Sequence, residues 1–147
     1  MALKTSARNR LAGKVGAVQA GAVNDEVELT LAGGGKLVAV VTRGSSASLG
    51  LQVGVEAFAL IKASSVILAV DTDDVRLSAR NQLVGTVSRV TPGAVNAEVV
   101  LDLDGGESIA AVITLESVKA LGLAPGSKAT ALIKASNVLL GVPVARA

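Results

Sequence analysis

Between Glu26 and Leu31 the residues alternate without a break. Val27, Leu29 and Leu31 are apolar, and Glu26, Glu28 and Thr30 are polar. A period of two puts the first set on one face of a strand and the second on the other. The stretch therefore predicts a half-buried strand running into a Gly-rich turn, with "KLVAVVT" as its hairpin partner. Upstream, "GKVGAV" alternates in the same way. Downstream come "RGSSASLGLQVG" and, further along, its counterpart "LESVKALGLAPG". The counterpart predicts one short helix, with Ser117 or Glu116 near its start, Val118 and Leu121 on its apolar side and Gly122 closing it. "EAFALIKA" and "SVILAV" read as two further strands.

This order of elements is written twice. Ser6–Val70 aligns with Ser78–Val142 at an offset of 72 without a gap, and 36 of the 65 pairs are identical. A repeat this regular decides the organisation before any single element does. Five strands with a helix between the third and fourth is the order of a small Greek-key barrel of the OB type. The expected fold class is all-β: two tandem OB-type five-stranded barrels, one short helix in each, over residues 5–71 and 77–143. "DTDDVR" between them reads as a short solvated connector. Units of this size are near the lower limit for folding alone, so the copies are expected to pack on each other or on other chains, with sites between them.

Composition narrows the chemistry. The chain has 147 residues, half of them apolar, yet no Trp or Tyr and only Phe58. Its core must be built from Val, Leu, Ile and Ala. There is no Cys and no His, which removes thiolate chemistry, disulfides, and the commonest general base and transition-metal ligand. A net charge of +2 does not by itself call for nucleic acid. No apolar run approaches the roughly 18 residues of a membrane span. The basic N-terminus lacks an apolar signal region, so the expectation is a cytoplasmic protein without a membrane partner.

Polar residues that survive in both copies are Ser6/Ser78, Arg8/Arg80, Asn9/Asn81, Thr42/Thr114, Ser45/Ser117, Lys62/Lys134 and Ser64/Ser136. Every one can donate a hydrogen bond, and two of the pairs are cations. Such a donor set suits a compact oxyanion, because charged acceptors take shorter and stronger hydrogen bonds. Glu26/Glu98 belong to the solvated strand face and are set aside. Each donor also has a plainer reading. Ser45 and Ser117 can be helix N-caps, Lys62 a strand lysine reaching solvent, Ser64 a turn residue and Arg8 a surface ion pair. "GAVN" reads as a tight turn whose Gly and Asn suit positive φ. Only joint repetition favours the oxyanion site.

Other chemistries fit less well. "GGGK" lacks the spacing and trailing Ser/Thr of a P-loop. "KAS" sets a Lys and a Ser two apart, which on a strand share a face, but no oxyanion hole or acid accompanies them. Single-stranded nucleic acid needs aromatic platforms, and Phe58 has Thr130 as its counterpart.

"TSARNRLAGKV", "GAVNDEVELTLAGGGKLVAVVT" and "ALIKASSVILAV", each with its echo in the second copy, resemble the Mop domain of the molbindins, two in tandem. The resemblance covers about nine-tenths of the chain. It implies OB-type barrels that bind molybdate or tungstate between domains, a homotrimer with six such domains, and a non-enzymatic role in storage. The implied ligands are Ser6, Ala7, Arg8, Lys62, Ala63 and Ser64, with Thr42 and Ser45 from a neighbouring domain. The matching set is Ser78, Ala79, Arg80, Lys134, Ala135 and Ser136, with Thr114 and Ser117. No protein–metal bond and no other cofactor is implied. The short ends leave no room for the DNA-binding or ATPase partners to which Mop domains are also fused, which favours storage. A general sulfate or phosphate binder, or a sensor acting through a protein partner, is the alternative. The copies differ at Arg43-Gly44 against Leu115-Glu116, and "GSSAS" is expected to weaken the first helix and make the two classes of site unequal.

Overall fold

A computed structural model describes residues 3–144. In the first repeat, β1 (Asn9–Ala20), β2 (Asn24–Leu31) and β3 (Lys36–Thr42) form an antiparallel meander. Next come α1 (Arg43–Leu49), β4 (Glu56–Ile61), a 3-10 turn at Ala63–Ser65 and the short β5 (Ile67–Ala69). The second repeat supplies β6 (Asn81–Pro92), β7 (Asn96–Leu103), β8 (Ser108–Thr114), α2 (Leu115–Leu121), β9 (Lys128–Ile133), a 3-10 turn at Ala135–Asn137 and β10 (Leu139–Gly141). The alternation in "EVELTL" is realised: Val27, Leu29 and Leu31 are buried, and Thr30 is exposed.

The repeats of the sequence are not the sheets of the structure. One sheet runs β10-β4-β1-β2-β3 and the other β5-β9-β6-β7-β8. Each repeat builds four strands of its own sheet and lends its fifth to the other. Leu140 thus pairs with Ala59, and Leu68 with Ala131. The segment "SVILAV" delivers only Ile67–Ala69 as strand, and it does so across the molecule. Within each sheet the outermost strands approach one another, β10 against β3 and β5 against β8, which curls the sheet toward closure. A bulge at Gly16 in β1, and another at Ser88 in β6, lets one long strand pair on both sides and bend around the barrel.

A single apolar cluster runs through both sheets, from Leu11, Val27 and Leu37 to Val99, Ile109 and Ile133. Two buried asparagines lock the sheets together. Asn81, at the start of β6, donates from Nδ2 to Val38 O (2.8 Å) and Ile133 O (3.2 Å), and its Oδ1 accepts from Val38 N (2.7 Å). Asn9 does the same to Ala110 on β8, at 2.8 and 2.7 Å. The side-chain amide acts as one more peptide unit, satisfying the outward backbone groups of an edge strand.

The "GAVN" turns form without positive φ, contrary to the expectation above. Their glycine answers a steric demand, since a Cβ on Gly93 would stand 3.0 Å from Asn96 O, and one on Gly21 would press on Asn24 O. Positive φ is needed instead at Gly50 and Gly122, which close the two helices at 65° and 66°.

Candidate functional site

The register of β6 on β9 sets Asn81 opposite Ile133, so the next residues outward, Arg80 and Lys134, leave the sheet side by side. Asn9 opposite Ile61 does the same for Arg8 and Lys62. Beyond each lysine the chain turns into a 3-10 turn rather than continuing as strand. Lys62 and Ser64 therefore do not share a strand face, which removes the basis for a Ser–Lys nucleophile pair. Ala63 and Ala135 are buried and anchor their turns, while the lysines and serines on either side are exposed.

On the second repeat these residues surround one hollow of about 530 Å³, lined by Ser78, Ala79, Arg80, Lys134, Ala135 and Ser136. Leu77 and Leu132 add apolar wall, and Val40 and Ile67 reach in from the first repeat. Ser136 also borders a second hollow of about 690 Å³, whose other polar residues include Thr42 and Ser45. Thr42 and Ser45 thus approach the donors of the opposite repeat, next door to the Lys134 hollow rather than inside it. On the mirror side, β8, which ends in Thr114, packs against the 3-10 turn that carries Ala63 and Ser64. Ser6, Ala7 and Arg8 match Ser78, Ala79 and Arg80 in the repeat, and Arg8 meets Glu98 as Arg80 meets Glu26.

The helix caps are Thr42 and Thr114, not Ser45 and Ser117. Each threonine Oγ1 accepts from the serine N–H at 3.1 Å and donates to the serine Oγ, at 2.9 Å in α1 and 2.8 Å in α2. "GSSAS" does not shorten its helix, for α1 and α2 both have seven residues and matching caps. The change of Arg43 for Leu115 has a local partner. Arg43 lies 3.7 Å from the buried Asp25, while Leu115 follows a repeat that has the buried Ala97 there. A charged pair in one copy is replaced by an apolar pair in the other.

Glu26 and Glu98, assigned from sequence to a free solvated face, are the partners of the site arginines. Glu98 pairs with Arg8 and Glu26 with Arg80, each across the repeat boundary. The Arg80–Glu26 contact is two-pronged, with Nη2 2.8 Å from Oε1 and Nη1 on Oε2. Its hydrogen bond and Coulomb attraction hold the Arg80 guanidinium above its ordinary pKa, with Glu28 adding to the effect. Among the described residues no ion pair engages Lys62 or Lys134. The carboxylates were legible only as polar positions on β2 and β7; nothing in the spacing said that the other repeat's arginine would land on them. The asparagines of "SARN", counted among candidate donors, are spent on the clasp between sheets.

A strand-exchanged pair of OB-type barrels, with a duplicated set of hydroxyl, ammonium and guanidinium donors at the seam, defines the class. The chain belongs to the TOBE-domain family, which matches residues 5–68 and again 77–140. It is 54% identical over 143 residues to the molybdenum-pterin-binding protein MopA of Rhodobacter capsulatus, covering 97% of this chain and 54% of that protein. It is 46% identical over 142 residues to the molybdenum transport protein ModE of Azotobacter vinelandii, covering 97% of this chain and 52% of that one. The chain thus spans about half the length of these curated relatives. Among solved structures, the cytoplasmic molybdate-binding protein ModG, with molybdate bound, superimposes with a TM-score of 0.93 and 55% identity, over 96% of this chain and all of that one.

Proposed function

We propose that this protein binds molybdate, and tungstate with it, as the intact oxyanion, and serves as a cytoplasmic store. It acts as a binder without catalysis. The observation that carries the reading is the hollow in which Ser78, Arg80, Lys134 and Ser136 meet. Arg80 and Lys134 supply charge-assisted donors, Ser78 and Ser136 neutral ones, and Ala79 and Ala135 bring backbone close to the same space. The mirror set is Ser6, Ala7, Arg8, Lys62, Ala63 and Ser64. Thr42 with Ser45, and Thr114 with Ser117, complete sites from an adjoining barrel. The likeness to molybdate-bound ModG supports the choice of anion.

Both hollows are open and wider than one tetrahedral anion, so a second copy of the chain is needed to close them. Apolar residues at their rims fit that role: Ile67 is 64% exposed and Leu139 60%. Ile67 borders the Lys134 hollow and Leu139 the Thr42 hollow, so a neighbouring chain seated on either would cover apolar surface. A homotrimer of six TOBE domains places these rims against neighbours, and neither nucleic acid nor membrane enters the reading.

Titration calorimetry with sodium molybdate, with and without a large excess of sulfate, tests it. Saturable molybdate binding that survives sulfate is expected. Binding abolished by sulfate or phosphate would establish the broader oxyanion reading in its place.

A further inference from the structure

Arg8 and Arg80 occupy matching positions, yet the charges behind them differ. Glu26 has Arg80 as its one cationic partner among the described residues, and commits both oxygens to it. Glu98 divides itself: it pairs with Arg8 and also accepts from Arg89 Nη2 at 3.3 Å. The residue matching Arg89 in the first copy is Ala17. The next outward residue on the Arg80 side is Glu28, held by Lys36 at 3.4 Å, and its counterparts are the uncharged Val100 and Ser108. Around Arg80, then, two cations face two carboxylates. Around Arg8, two guanidinium groups share Glu98, and the other carboxylate on that face, Asp102, accepts from Ser108 instead of meeting a cation.

We propose that Arg89 makes the two halves of the molecule unequal, so that the anion held by Arg8 and Lys62 is bound more tightly than the one held by Arg80 and Lys134. This rests on the oxyanion reading above and adds a specific residue to it. To turn toward an arriving dianion, Arg80 must loosen a two-pronged pair and leave Glu26 without a partner beside a negative ligand. Arg8 can turn while Glu98 keeps Arg89, so no carboxylate is abandoned. Arg89 touches no anion; it is a positioning residue acting through Glu98. Because all of these groups are partly solvated, the expected difference is modest, roughly twofold to fivefold in affinity.

The test isolates each half in the full-length chain. Lys134→Ala leaves the Arg8–Lys62 set intact, and Lys62→Ala leaves the Arg80–Lys134 set. Molybdate titrated into the first should show the tighter binding, by about twofold to fivefold. Adding Arg89→Ala should erase the gap, and adding Ala17→Arg to Lys62→Ala should close it from the other side. Raising the salt should narrow it, which a purely structural role for Arg89 would not do. Arg89 and Ala17 are both exposed, so neither change threatens the fold. Equal affinities in the two halves, or a gap that persists in the Arg89→Ala chain, overturn the proposal while leaving the oxyanion reading standing. No molybdate binding by any form overturns both.

Discussion

Gly141 of the second repeat lies directly opposite Phe58 of the first in the pairing of β10 on β4, and a Cβ at Gly141 would run into the phenyl ring. At the matching place in the other sheet, Ala69 lies opposite Thr130. A large residue faces the smallest one in one sheet, and two intermediate residues face each other in the second. The sizes agree only if each fifth strand crosses to the other repeat. Were β5 to stay at home, Ala69 would meet Phe58.

Strand exchange therefore predicts coupling between these positions. Gly141→Ala should cost about 1–3 kcal/mol, as overpacking does. The same change made in a Phe58→Thr chain should cost much less, giving an interaction energy of about 1 kcal/mol or more in a double-mutant cycle. Denaturant melts of the four proteins measure it. Additive effects would contradict the pairing.

The exchange explains which parts of the fold could be read from sequence and which could not. Alternation in Glu26–Leu31 reports the face of a strand but not its neighbours. "SSVILAV" and "SNVLLGV" are so alike that periodicity cannot assign either to a sheet; Phe58 against Gly141 is the one local clue, and it needs the register to be seen. The ligand-type donors were visible because repetition singles them out. The clasp at Asn9 and Asn81 was hidden among them, since a repeated structural residue and a repeated ligand leave the same trace.

Asn81→Ala should be among the most damaging single changes outside the apolar core. It deletes three side-chain hydrogen bonds and leaves Val38 N–H and C=O buried without partners. A loss of about 2–4 kcal/mol is expected, read as a fall in calorimetric Tm. A change below about 0.5 kcal/mol would mean that the asparagine is not a clasp.

Lys62→Ala and Lys134→Ala should each weaken molybdate binding by about tenfold to a hundredfold at the half concerned, the loss of one charge-assisted contact of roughly 1.5–3 kcal/mol. Thermal stability should hardly move, because both side chains are exposed and neither is engaged in an ion pair among the described residues. Titration calorimetry beside a melting curve separates the two effects.

Anion affinity should be flat between about pH 6 and 8, since the chain has no histidine to titrate there. The displaced titration belongs to Arg80, and it is displaced upward by Glu26. For a raised pKa the stabilisation is complete below the unfolded value and fades only as pH climbs through the folded one. That window lies far above neutrality. Isotherms recorded at several pH values in non-coordinating buffers check it; a steep change across this range would point to a titrating group outside the proposed set.

Native mass spectrometry of the whole chain, with and without molybdate, bears most directly on the idea that duplicated donors from adjoining barrels cage a tetrahedral dianion. The account predicts an oligomer that retains molybdate masses, and a Lys62→Ala/Lys134→Ala chain of the same oligomeric size that has lost them. A monomer free of adducts, or a double variant that carries as many anions as the unaltered protein, would contradict it.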